Sequence, residues 1–326
     1  MVKKSAVSPL AILPAWAQHA DDLTAWKTPE RFEYLPIVDR PKLKPPAKGK
    51  RVIVWPVVSV EEWDVTKPMP RTVGLPPGGQ IFLPDVQNWT WHEYGMRVGI
   101  WRFLDVFRKH GIRPTVTLNA KVCETRPRLA KAMMDDGWEF MAHCYEQMHI
   151  AKISDQRAMM KHTIAVMKKF TGRFPAGWLG PGRGQSFATL DYLTELGFKW
   201  FGDFVMDDLP TWMRTKTGPI LMVPYTTELN DIPVMVGAQH ESDVFIKRCQ
   251  QIYETIHREA LQHDNPRVFA FAVHPFVTGA AHRINYFDQM LSFLRSKDDV
   301  VFMNSEQIYN WYAGEQKPNA FERSKR

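Results

Sequence analysis

The chain alternates short apolar segments rich in β-branched residues with amphipathic segments of helical period, from residue 51 to residue 304. The first apolar segment, RVIVWPVVSV at 51–60, is almost continuously apolar, which is typical of a strand buried on both faces of a parallel sheet. Segments of helical period that end in Gly, such as VGIWRFLDVFRKHG, lie between the apolar segments. Repeated β-α units of this kind leave two architectures, a doubly wound open sheet or a closed barrel.

Glycine motifs for nucleotide binding are missing, and this favours the barrel. No G-x-G-x-x-G opens the first helix, and no G-x-x-x-x-G-K-[ST] occurs in the chain. We therefore predict an α/β fold built as a (β/α) barrel, in which GPILMVPY and PVMVGA form a shorter β-rich stretch. The predicted organisation is a Pro-rich N-terminal arm (1–50), one catalytic barrel domain (51–314) and a C-terminal tail (315–326).

Composition narrows the classes of partner. The net charge is +7, but Lys and Arg are scattered among acids and no nucleic-acid-binding motif accompanies them, so we expect an anionic small molecule rather than nucleic acid. The three cysteines are odd in number and widely spaced, which predicts neither disulfides nor a cysteine zinc site and fits a cytoplasmic protein. No apolar run approaches the roughly 20 residues that cross a bilayer, so we expect no membrane segment.

Polar side chains follow six of the predicted strands. Because the carboxyl ends of barrel strands converge on one face, these side chains are predicted to share a site. They are, in chain order, Glu61 and Glu62, Asn119, His143, Arg183, Asp203 with Asp207 and Asp208, and His274.

Each of these residues also has an ordinary alternative reading. An acid pair can form a solvated turn, a lone histidine can be a satisfied core residue, Arg183 can be a loop cation, and Asp207 can cap the next turn. Trp63, in the long loop 63–92, is predicted to wall the pocket and bind substrate, and the alternative is that it packs in the core.

With these residues identified, the segments VVSVEEW, EYGMRVGIWR, TLNA, EFMAHCYEQ, FGDFVMDDLPTW, VPYTTELND and FAVHPFVTGAAHR resemble the polysaccharide deacetylase (NodB-homology) superfamily, in its allantoinase-like branch. The resemblance runs from about residue 34 to residue 312. It implies a distorted seven- or eight-stranded TIM-like barrel and hydrolysis of carbon-nitrogen bonds other than peptide bonds. It also implies Glu61 as base, Glu62 as a possible metal ligand, His143 as the first histidine of the family pair and His274 as general acid.

The sequence departs from the deacetylase pattern at the second histidine, where Gln147 stands four residues after His143. Glutamine is a poor zinc ligand, and His149 or Glu146 are the geometric substitutes. The tentative metal set is therefore Glu62, His143 and His149, and the expected cofactor is either none or a weakly bound zinc ion. The resemblance implies that the branch is metal-independent and that its allantoinases are homo-oligomers, so a homo-oligomer is expected.

Hydrolysis of an amide needs a base, a group for the developing oxyanion and an acid for the leaving nitrogen. Our hypothesis assigns Glu61 as base, His274 as acid, and His143 with Arg183 as oxyanion and substrate contacts. Glu62 is predicted to bind the substrate, and Asn119 and Asp207 are predicted to align it. The expected substrate is a small cyclic amide or ureide. The alternatives are a zinc-dependent N- or O-deacetylase that acts on a sugar, and a catalytically silent barrel that only binds its ligand.

Overall fold

A computed structural model describes residues 20–76 and 78–318. Nine strands lie in these residues: β1 Val52–Val60, β2 Thr115–Leu118, β3 Glu139–Ala142, β4 Gly177–Trp178, β5 Trp200–Phe201, β6 Thr211–Met213, β7 Ile220–Met222, β8 Arg267–Val273 and β9 Val300–Phe302. Nine α-helices lie in the same residues: α1 Val86–Tyr94, α2 Ile100–His110, α3 Val122–Thr125, α4 Pro127–Asp135, α5 Gln156–Thr171, α6 Thr189–Glu195, α7 Ser242–Gln262, α8 Ile284–Arg295 and α9 Ser305–Glu315. None of these helices is long and apolar enough to cross a membrane.

The strands form one curled sheet in the order β6-β7-β5-β4-β3-β2-β1-β8, and every pairing is parallel except that of β6 with β7. β9 pairs with the first residues of β1, on the edge that β2 occupies further along. A single parallel bridge between Asn230 and Ala272 brings the chain after β7 to the outer edge of β8. The sheet is therefore a half-barrel, and the predicted α/β barrel architecture is confirmed.

β1 runs through the middle of the core, as its continuous apolar sequence predicts. All nine of its residues are buried. Val52, Val54 and Val58 belong to the apolar cluster that packs the sheet against the helices, whereas Ile53 and Trp55 belong to a second cluster inside the curl. This alternation is what period 2 dictates for a strand with apolar surroundings on both faces. The strand thereby fixes the position of the acids that follow it.

The structure corrects two predicted elements. PVMVGA does not form a strand, because Ile232–Gly237 is a turn of π-helix that begins beside Pro233. The loop predicted at 63–92 already becomes helical at Val86, where the Asp85 side chain accepts a hydrogen bond from the Asn88 N–H. That aspartate cap is a local signal that the apolar periodicity did not carry.

The described part of the predicted N-terminal arm packs against the domain. Arg31, whose side chain is 2% exposed, pairs with Asp191 of α6 at 3.0 Å, and Leu43 is buried in the inner apolar cluster. Residues 1–19 of the predicted arm and 319–326 of the predicted tail lie outside the described residues.

Candidate active site

Glu61 directly follows β1, and its carboxylate is buried among hydrogen-bond donors. Trp63 Nε1 donates to one oxygen at 2.6 Å, and Gln147 Nε2 donates to the other at 2.9 Å. The residue is only 2% exposed. Because each oxygen accepts one bond from a fixed side chain, the carboxylate has one orientation and keeps a lone pair on each oxygen for a further partner.

Trp63 is itself held in place from behind. Its indole stacks on the His92 ring with centroids 4.6 Å apart, and the His92 Nε2 lies 2.9 Å from the Glu61 carbonyl oxygen. Burial lowers the pKa of His92 to about 4, so the ring is neutral and Nε2–H is the donor to that carbonyl. Trp63, predicted to wall the pocket, is 2% exposed and positions Glu61 instead.

His274 follows β8 and faces the same carboxylate. Its Nε2 lies 3.6 Å from Glu61 Oε1, and its Nδ1 lies 2.6 Å from Asp231 Oδ1. The other Asp231 oxygen accepts hydrogen bonds from the His274 backbone N–H and from the Thr278 hydroxyl, both at 2.7 Å. Asp231 therefore fixes the imidazole and directs Nε2 toward Glu61, which is the arrangement that stabilises a protonated ring during proton transfer.

His143 follows β3 and presents a lone pair to the site. Its Nδ1 lies 2.5 Å from the Leu179 carbonyl oxygen, which can only accept, so Nδ1 carries the proton. Burial is the largest effect on its pKa, which falls to about 4, and the neighbouring charges of Glu61 and His274 act in opposite directions. A neutral His143 therefore offers Nε2 as an acceptor. Its predicted role as an oxyanion contact is corrected on this ground, because an oxyanion needs a donor.

Glu62 and Asn119 are occupied in joining the strand ends. The Asn119 side chain accepts from the Glu62 backbone N–H at 2.9 Å and donates to the His143 carbonyl. The Glu62 carboxylate accepts from the Thr125 hydroxyl at 3.0 Å and lies 3.3 Å from Arg126 Nε. Asn119 is fully buried, so it holds the loops after β1 and β3 rather than contacting substrate.

Arg183 lies in a tight turn after β4. Gly182 and Arg183 both have left-handed backbone, with φ of 62° and 58°, a conformation that is uncommon for a residue with a side chain. Asp203 holds the turn, because one oxygen accepts from the Gly180 N–H and the other from Gln185. Burial raises the pKa of Asp203 to about 7, against the opposing effects of these bonds and of the Arg183 charge.

A cleft of about 390 Å³ opens beside this cluster. Glu62 and Gln147 form part of its wall, and the segment from Lys67 to Arg71 forms another part. The Oε1 atom of Gln147 is buried and has no hydrogen-bond partner among the described residues. Gln147 therefore holds an unsatisfied acceptor at the cleft wall.

Asp207 lies elsewhere, and its predicted contact with substrate is wrong. The adjacent Asp208 carbonyl accepts from the Val268 N–H near the amino end of β8, six residues and about 20 Å of strand before His274. The Asp207 carboxylate pairs with Arg40 of the arm at 3.2 Å. After Asp203 the chain turns away from the carboxyl ends of the strands. The sequence FGDFVMDD contains no signal for this turn.

The tentative metal set of Glu62, His143 and His149 is not brought together. No group of three His, Cys, Asp or Glu side chains with metal-binding geometry occurs in residues 20–76 and 78–318. Arg126 pairs with Glu62, and the His149 Nδ1 already accepts from the Ala151 N–H at 3.2 Å. Gln147, where the family has its second histidine, turns an N–H toward Glu61. The donor set therefore does not fit a zinc ion.

Sequence reasoning missed three residues of this site. Asp231 is in the segment VPYTTELND, after β7. It does not directly follow a predicted strand, so the sequence did not predict its contact with His274. His92 and Arg71 belong to the long loop and the helix that follows it, and neither follows a predicted strand. A single strand-end rule finds the residues on strands and misses the partners that hold them.

The chain is similar in sequence and in fold to known proteins. The family model for polysaccharide deacetylase matches residues 90–201. A Schizosaccharomyces pombe protein, named provisionally as a polysaccharide deacetylase, is 26% identical over 237 residues, which are 66% of this chain and 73% of that protein.

Solved structures that share the fold include a probable polysaccharide deacetylase and an allantoinase. The probable polysaccharide deacetylase of Pseudomonas aeruginosa PAO1 has a TM-score of 0.75 at 24% identity and covers 85% of this chain and 96% of that one. The Puue allantoinase has a TM-score of 0.74 at 22% identity and covers 86% of this chain and 98% of its own. Both likenesses concern the half-barrel itself.

Proposed function

Because this chain belongs to the polysaccharide deacetylase superfamily and is a hydrolase that acts on amide bonds, we propose that it opens a small cyclic amide, such as an imide or ureide ring, in the cleft beside Glu61. The observation that carries the proposal is the approach of Glu61 to the Asp231–His274 pair, with 3.6 Å between Oε1 and Nε2. A base and an acid thus meet in one buried place, which is what hydrolysis of an amide requires.

The proposed reaction moves two protons. Glu61 takes a proton from water as the hydroxide oxygen bonds to the amide carbon, and the tetrahedral intermediate forms. His274 then gives the proton on Nε2 to the ring nitrogen as the carbon-nitrogen bond breaks. The proton on Glu61 passes to His274 across the short gap between them, so one water is consumed and the enzyme is restored. Asp231 stabilises the imidazolium that donates.

Gln147 and His143 add acceptors to this site. The unpartnered Gln147 Oε1 can accept an N–H of the ring, and His143 Nε2 can accept from the attacking water. A ureide ring such as hydantoin carries a second N–H besides the one on the leaving nitrogen, whereas the acetamido group of a sugar carries only one. A spare acceptor beside the base therefore favours a ureide ring.

The second candidate is removal of an acetyl group from an amino sugar. The family model and the S. pombe relative both carry the deacetylase name, and this favours the candidate. The departures at Gln147 and at the GPGRG turn weigh against it, because they remove the second histidine and replace the deacetylase R-x-P-[YW] motif.

One assay separates the two candidates. Purified protein is incubated with hydantoins, cyclic imides and allantoin, and separately with acetylated chitin oligomers, with and without added zinc, while ring opening and acetate release are followed. We expect ring opening without added zinc. Acetate release that depends on zinc, with no ring opened, would show that the proposal is wrong.

The Glu61→Gln variant tests the base. We expect a fall in kcat of about 10³-fold, because the amide cannot accept the proton of water, and an unchanged melting temperature. Glu62→Gln is the matched control, since its side chain is engaged by Arg126 and Thr125. A loss from Glu62→Gln as large as that from Glu61→Gln would contradict the assignment.

A further inference from the structure

We propose that the ring amide opened in this cleft carries a carboxylate group, and that Arg71 binds that carboxylate. This inference rests on the proposed function. It extends that function by assigning a negative charge to the substrate and by naming Arg71 as the residue that recognises this charge.

Arg71 lacks the carboxylate partner that Arg31 and Arg126 have, although it is partly buried. Its Nε is buried and has no hydrogen-bond partner, and no carboxylate pairs with it in residues 20–76 and 78–318. Arg31 pairs with Asp191, and Arg126 pairs with Glu62 and Glu93. A guanidinium drawn partly out of water without an anion is costly, so its free donors point to an anion that arrives with the ligand.

The segment before Arg71 holds it against the cleft. Pro68 and Pro70 fix the backbone φ on both sides of Met69, and Lys67 is tied to Glu146 on the loop after β3. Lys67 also lies 3.3 Å from Asp64, so its charge is compensated within the wall. Arg71 is left as the cation of this segment whose charge no protein carboxylate meets in the described residues.

The position of Arg71 suits an anchor at one end of the ring. It lines the cleft together with Gln147 and Gly182, and its charge acts on His143. Arg183, beside Gly182, likewise has no ion-pair partner within the described part of the chain. A planar guanidinium binds a carboxylate through two parallel hydrogen bonds, which orients the whole ligand. The amide carbonyl then faces Glu61.

Binding is measured in Glu61→Gln protein, so that the ligands are not consumed. The probes are hydantoin-5-acetic acid and its primary amide, which differ in charge and little in shape, and calorimetry gives the dissociation constant of each. We expect the acid to bind about ten- to hundredfold more tightly than the amide. Adding Arg71→Gln should remove this difference. Lys168→Gln, an exposed change on α5 that lowers the net charge equally, should retain it.

The outcomes separate this inference from the proposed function. Equal affinity for acid and amide, no binding of either, or an equal loss of both on Arg71→Gln would overturn the role of Arg71. Tighter binding of the acid that depends on Arg71, in a protein that opens none of the rings, would support the anion site and count against the hydrolysis. In active protein, Arg71→Gln should raise KM for the acid by a larger factor than it lowers kcat.

Discussion

The carboxyl end and the amino end of β8 both carry buried charges, and they are satisfied in different ways. At the carboxyl end, His274 meets Asp231 and approaches Glu61, and the cleft beside them contains an unpartnered amide oxygen and an unpaired guanidinium. At the amino end, the Asp208 carbonyl bonds to Val268 and Asp207 pairs with Arg40. We therefore expect catalysis at the carboxyl end, where polar groups of the cleft are left without protein partners and can bind a substrate.

The same contrast holds for the cations. Arg40 at the amino end uses its guanidinium on Asp207, Thr211 and the Pro210 carbonyl. Arg71 at the carboxyl end has no such partner in the described residues. Burial alone therefore does not mark the functional arginine. Arg71 is distinguished by lining the cleft without a carboxylate partner in the described residues.

Among the variants that test this contrast, Asp231→Asn is expected to have the largest effect. Asp231→Asn replaces one carboxylate oxygen by an NH₂ group, which must face either the His274 Nδ1 or the two donors that now share the second oxygen. Either arrangement disturbs the ring that donates to the leaving nitrogen. We expect kcat to fall about 10²-fold.

Substrates with different leaving groups show whether Asp231 acts on the step in which His274 protonates the leaving nitrogen. The loss should shrink for substrates with an activated leaving group, since these need little protonation. Thr278→Val, which removes one hydrogen bond to Asp231 and leaves its contact with His274, is the control and should cost much less. An equal loss for all leaving groups would instead indicate a general structural role.

A smaller effect on kcat is expected from removing the hydrogen bond that Trp63 donates to Glu61. Trp63→Phe removes the indole N–H that donates to the carboxylate and keeps an aromatic ring against His92. One charge-assisted hydrogen bond corresponds to a loss in kcat of about tenfold. Trp91→Phe is the control, because Trp91 contacts Trp63 edge-on and makes no bond to Glu61. If both variants lose the same activity, the N–H of Trp63 does not position the base.

Much of this site follows from the sequence because parallel strands end together. Glu61, His143 and His274 each come directly after a mainly apolar segment, and the alternation of strands and helices places those segments side by side. The half-barrel itself follows from the same alternation. These features are local in sequence, so periodicity can find them.

Asp231 and Arg71 are positioned by long-range contacts of irregular chain, which leave no periodic pattern in the sequence. Asp231 reaches His274 because the irregular chain after β7 forms a bridge from Asn230 to Ala272. Arg71 is placed by prolines and by the ion pair of Lys67 with Glu146. Asp207 shows the converse error: it comes shortly after a predicted strand, but the chain has already turned toward the amino end of β8.

The smallest effect on activity is expected at the amino end of β8. Asp207→Asn should leave kcat within about twofold, because the residue is far from His274.

The same variant should change how stability depends on pH. Burial is the main cause that raises the pKa of Asp207, against the lowering effect of Arg40. An acid whose pKa is higher in the folded state loses stability as pH rises from its unfolded to its folded pKa. The neutral variant escapes this loss, so urea unfolding should find it at least as stable as wild type at pH 8, with its relative advantage disappearing toward pH 4. A variant clearly less stable at pH 8 would mean that the ion pair with Arg40 outweighs the burial of its charges.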